Sequence, residues 1–260
     1  MQILSRFDLI IPICLQVAIL TLIAKKSLQQ RFKWFFIYIL YYFVVAILRL
    51  AVSGNKHAYF QVYWATSALA ILFTFLAVRE SFLNALKAFA QLRWFRRLFW
   101  IIIALAIAYS LAKAILQPPI LHHPLESAII FGELTLDYLI IGAAIFFFAA
   151  VAWYHIKKSQ WEYGVILGFS MNAALANFGV LTRSIFGTRF TIVSEGLPAV
   201  AYIVAELTWL LNFIRKEPTR PDQSGLPVDL TPEQIMADLK SYQQFVANAR
   251  AFLRRKKHKR

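Results

Sequence analysis

Cysteine is all but missing from this chain of 260 residues. Cys14 stands alone, so no disulfide can form within the chain and the thiol carries no information about redox compartment. Charge is scarce as well. Only 16% of the residues are charged against 60% hydrophobic, a balance that excludes a soluble domain of this size, whose core needs far less apolar material. The acidic sign is the rarer one, with 13 Asp and Glu against 28 Lys and Arg and a net charge of +15. That basic excess does not point to nucleic acid, because the Lys and Arg lie between apolar runs and at the C-terminus, where the positive-inside rule places them in a membrane protein. H-E-x-x-H, P-loop, G-x-S-x-G and C-x-x-C motifs are all absent. No enzyme activity, cofactor or metal is therefore expected.

What is present is a series of seven apolar runs, each long enough to cross a bilayer as a helix. They predict spans over about 7–24, 34–52, 59–78, 98–116, 127–154, 163–182 and 191–213. The first reads as an uncleaved anchor rather than a signal peptide, since the heavier positive charge, Lys25, Lys26, Arg31 and Lys33, follows it. The loops after spans one, three and five hold four, five and two basic residues and the tail from Arg215 holds eleven, whereas the other side has about six. The expected fold is an all-α membrane protein, a seven-transmembrane-helix bundle with its N-terminus out and its C-terminus in. Arg79 to Arg97 is expected to lie on the cytoplasmic surface as a short amphipathic helix or to extend the third span.

Residues 1–214 thus form the transmembrane domain. Residues 215–230, rich in Pro, Asp, Gln, Ser and Gly, read as a linker. Residues 231–260 read as a cytoplasmic amphipathic basic helix: Thr231, Pro232 and Glu233 make a helix start, and Ile235, Leu239, Tyr242, Val246, Ala249 and Leu253 form one apolar stripe. The stripe and the terminal RRKKHKR predict docking on anionic lipid headgroups, with a short coiled coil, and hence a homodimer, as the alternative.

The polar residues inside the spans are the candidate site. Glu133 and Asp137 lie one turn apart on the fifth span, and a carboxylate facing hydrocarbon costs about 3 kcal/mol or more, so this face is expected to look inward. Counted from the outer end of the span, Glu133 lies about 9 Å deep and Asp137 about 15 Å deep, with no Lys or Arg predicted at the depth of Asp137. Arg49, Lys113 and Glu195 fall within about 7 Å of the same surface on their own helices. These five make an outward polar site for a ligand or a proton, unless the acids only pair with Arg49 and Lys113 to hold the bundle together. Glu206 lies three turns from Glu195 on the seventh span and, with Asn172 and Asn177 on the sixth, continues a polar seam inward. Gly164 and Gly168 give the sixth span one small face that a neighbouring helix can approach closely.

Seven spans in this orientation resemble the layout of rhodopsins and other seven-helix receptors, although the seventh span has no lysine to carry retinal. The same layout is similar to sugar transporters of the SWEET type, whose internal repeat is not visible here. The segment YWATSAL from Tyr63, leading into the basic amphipathic stretch, resembles uncharacterised bacterial seven-span membrane proteins of about this length. That resemblance implies a multi-pass protein of the bacterial inner membrane and carries no activity with it. The expected function is a receptor or sensor-like bundle with an outward-facing polar pocket. A tail too short for a catalytic output domain then calls for a separate cytoplasmic signalling partner. A small transporter or proton-coupled carrier, or a structural or assembly protein, are the alternatives.

Overall fold

With no water to satisfy backbone N–H and C=O groups in hydrocarbon, a chain this apolar must close its hydrogen bonds within each segment, and helices do so. The computed structural model describes residues 2–86, 93–116, 124–154, 160–186, 191–215 and 237. Among the described residues there is no strand. Seven long helices follow one another: α1 (Gln2–Lys25), α2 (Lys33–Ala51), α3 (Lys56–Ala85), α4 (Arg93–Leu116), α5 (Pro124–Tyr154), α6 (Gln160–Phe186) and α7 (Thr191–Ile214). Five stretches are long and apolar enough to cross a membrane: Lys33–Ala51, Lys56–Ala85, Glu126–Trp153, Gln160–Thr182 and Gly196–Ile214. The corresponding apolar stretches of α1 and α4, Ile10–Lys25 and Trp100–Tyr109, are shorter. The expected linker and basic tail helix, apart from helical Ala237, lie outside the described residues.

Most helices run past the apolar stretch that marks them. The α3 helix continues through Arg79 and Glu80 to Ala85, so the first part of the basic amphipathic stretch extends the third span. Its other end is fixed by Asn55, whose side chain accepts hydrogen bonds from His57 N at 3.1 Å and Ala58 N at 3.2 Å. Pro12 and Pro198 are accommodated inside α1 and α7.

The helices pack as a ring. α1 lies against α2 and α7, α2 against α3, α3 against α5 and α6, α5 against α6, and α6 against α7, while α4 sits outside on α5. α6 and α7 approach most closely because of the two glycines: a methyl added at Gly164 would meet Asn212, and one at Gly168 would fall within the Trp209 indole. Trp209 Nε1 donates across that contact to Val165 O at 3.1 Å.

One end of the ring is sealed. Phe32, Phe35 and Tyr38 of the α1–α2 turn and α2, Phe169 of α6, and Trp209 and Phe213 of α7 are buried together, with Phe35–Trp209, Tyr38–Phe169 and Phe169–Trp209 centroids at 5.2, 5.1 and 5.0 Å. Around this plug, polar groups clamp one helix end to the next. Glu80 Oε2 accepts from Trp34 N at 2.8 Å and Phe35 N at 3.1 Å, capping α2 with a side chain supplied by α3. Lys26 donates to Phe213 O and to Arg215 O, covering the C-terminal carbonyls of α7. Arg31 holds Glu162, at the start of α6, through both carboxylate oxygens at 2.7 and 2.9 Å, with Trp161 beneath its guanidinium. Two of the four basic residues that follow the first apolar run, Lys26 and Arg31, are therefore structural clamps.

Candidate functional site

The two candidate acids lie toward the opposite end, on α5. On α5, Ile129, Glu133, Ile140, Ala144 and Val151 recur at spacings of four and seven and so share one face. Four of them are buried; Glu133 is exposed. The outer face of α5 is a different one, carrying Tyr138, Ile145 and Trp153 at 57, 64 and 80% exposure. Asp137, one turn nearer the sealed end and next to Glu133, is half-buried.

Across from Glu133 stand Tyr42 and Arg49 of α2, a helix that α5 does not pack along. Arg49 does not close the gap. Its guanidinium is taken up by α3, donating to Thr66 Oγ1 at 2.7 Å and lying 4.5 Å over the Tyr63 ring, while Tyr41 OH donates to Thr66 O at 2.5 Å. Lys113 sits over the rings of Tyr109 and Phe131 at 5.8 and 6.0 Å. Among the described residues, neither acid forms an ion pair with Arg49 or Lys113; the ion pair shown is Arg31–Glu162 at the sealed end. Arg49 acts on Glu133 at a distance.

Glu206 is placed elsewhere. It is fully buried between α7, α1 and α2, where Gln16 Nε2 donates to its Oε1 at 2.9 Å and to Tyr202 OH at 3.1 Å. The polar seam does not run from it through the asparagines: Asn177 turns its amide back to Ala173 O of its own helix at 2.9 Å, and Asn172 is half-buried on α6. The link toward Glu133 is made by tyrosines instead. Tyr202 stacks on Tyr42 at 5.4 Å, and Tyr42 lies against Tyr38 at 4.7 Å, so phenols occupy the space between the buried acid and the exposed one. The side chain of Glu195 lies outside the described residues.

Gln16, Tyr38, Tyr42 and Tyr202 escape a reading guided by charge, because a tyrosine within a span reads as core or interface aromatic. Gln16, an amide in an apolar run, is the one with a legible signal. The chain matches no family model, no curated protein and no solved structure. Chemistry must be argued from these side chains themselves.

Proposed function

We propose that the chain is a seven-span receptor or sensor of the bacterial inner membrane, N-terminus outside and C-terminus inside, whose open end takes a small polar ligand carrying a positive charge. The observation that carries this reading is Glu133, exposed on a helix face that is otherwise buried, with Asp137 behind it and both nearby cations engaged by other groups. Two carboxyl groups in a partly dehydrated recess favour an ammonium or guanidinium over an anion. In this reading an opening beside Glu133 gives access from outside and the aromatic plug with its clamps closes the other end, which suits ligand detection. A carrier needs the same plug to open.

The test is ligand-dependent stabilisation of the purified chain across a panel of small amines and amino acids, followed by flux measurements in liposomes with any ligand found. A receptor binds without flux and loses binding in Glu133→Gln and Asp137→Asn. Accumulation of the labelled ligand shifts the reading to a carrier, and loss of folding alone in both variants shifts it to a structural role. Reporter fusions at both ends test the orientation; finding them in one compartment removes it.

A further inference from the structure

Gln16 and Glu206 are 2% and 0% exposed and form one hydrogen-bonded pair, yet each keeps an oxygen with no partner, Gln16 Oε1 and Glu206 Oε2. Buried acceptors are satisfied in nearly all folded proteins, and neither of these can satisfy the other while both lack a hydrogen. Exchanging the oxygen and nitrogen of the Gln16 amide only moves the deficit from one carboxylate oxygen to the other. The surrounding titratable groups are phenols: Tyr202 on α7 itself, and Tyr38 and Tyr42 from α2. From α1 comes Gln16. Among the described residues no Lys or Arg acts on Glu206. An ionised carboxylate here has the Gln16 amide and the Tyr202 phenol beside it and no counter-charge.

We propose that the Gln16–Glu206 pair is a binding site for one monovalent cation, a proton or a sodium ion, held by Glu206 Oε2 and Gln16 Oε1. A proton on Oε2 turns that oxygen into a donor and the amide oxygen into its acceptor, completing an acid–amide pair. A sodium ion takes the same two oxygens, with the Tyr202 phenol as a further hard ligand. One carboxylate is neutralised by one positive charge, which sets the site against divalent ions. The site stands independently of the pocket at Glu133.

The experiment uses the full chain in detergent. Melting temperature is measured as sodium replaces choline at constant ionic strength, and infrared difference spectra are recorded across a pH titration, for wild type, Glu206→Gln and Gln16→Leu. Sodium occupancy raises the wild-type melting temperature, and both variants lose the rise. Proton occupancy leaves no sodium effect and shows the carbonyl stretch of a neutral carboxylic acid, lost in Glu206→Gln and shifted in Gln16→Leu. Glu206→Gln keeps the shape of the side chain and offers hydrogens to Gln16 Oε1, so it is expected to fold. Neither a sodium effect nor a Glu206-dependent acid band overturns the proposal; should both variants fail to fold, absence of both signals in wild type does the same.

Discussion

Breaking the Arg31–Glu162 clamp tests whether the sealed end is held by its polar ties or by the aromatic plug alone. Glu162 is 2% exposed and Arg31 29%, and their closest approach is 2.7 Å. At that distance the attraction is about 6 kcal/mol with an effective dielectric of about 20, most of it offset by the desolvation of both groups. Removing one partner is costlier than removing both, because the other charge stays buried without compensation. Arg31→Met is expected to destabilise by about 3 kcal/mol, the low end for a buried pair because the guanidinium keeps some solvent. The double variant Arg31→Met with Glu162→Gln is expected to cost about 1 kcal/mol, about 2 kcal/mol less than Arg31→Met alone. Titration of mixed micelles with a denaturing detergent, followed by tryptophan fluorescence, reads this directly, since Trp161 lies 5.3 Å beneath Arg31 and Trp209 is in the plug. Equal losses in the single and double variants, or a single-variant loss below about 0.5 kcal/mol, would refute the clamp.

Other outcomes follow from the same geometry. In a Cys14→Ser background, Glu133→Cys is expected to react with a membrane-impermeant thiol reagent, while Ile129→Cys and Ile140→Cys on the same stripe do not; equal reactivity at all three removes the opening. Gly168→Ala drives a methyl into the Trp209 indole and is expected to cost about 1–3 kcal/mol, partly recovered with Trp209→Leu; an unchanged unfolding midpoint would show that α6 and α7 are not in close contact. Ser27 holds a φ of 54° in the α1–α2 turn, so Ser27→Gly is expected to stabilise by about 0.5–1 kcal/mol, and destabilisation would contradict that backbone conformation. Glu80→Gln weakens a charged cap on two α2 amides and is expected to cost about 1 kcal/mol by the same unfolding assay; no change would mean that lipid headgroups or water replace it.

Helix content and five of the seven expected membrane-crossing segments were legible from residue order because both follow from local chemistry: twenty apolar residues in lipid have one good way to close their backbone hydrogen bonds. The small face of the sixth span was legible too, as Gly164 and Gly168 are spaced for close contact whatever the partner is. Only packing could supply Trp209 and Asn212 as that partner. Glu133 and Asp137 were identifiable by the cost of a carboxylate in hydrocarbon, and their shared face by helical periodicity. Whether they meet Arg49 or Lys113 depends on how α2, α4 and α5 turn about their axes, which no single segment encodes.

The linear chain by itself determined the solvent this protein is built for and the residues that cannot face it. Tertiary structure alone decided where each of those residues goes: Arg49 to Thr66 rather than to Glu133, Glu206 to Gln16 rather than to the asparagines, and Arg31 to Glu162 across the sealed end. The physical reason is one of range. Hydrophobicity and periodicity act within one helix, whereas the pairing of polar groups on different helices is settled by the same close packing that fills one end of the ring with aromatic side chains.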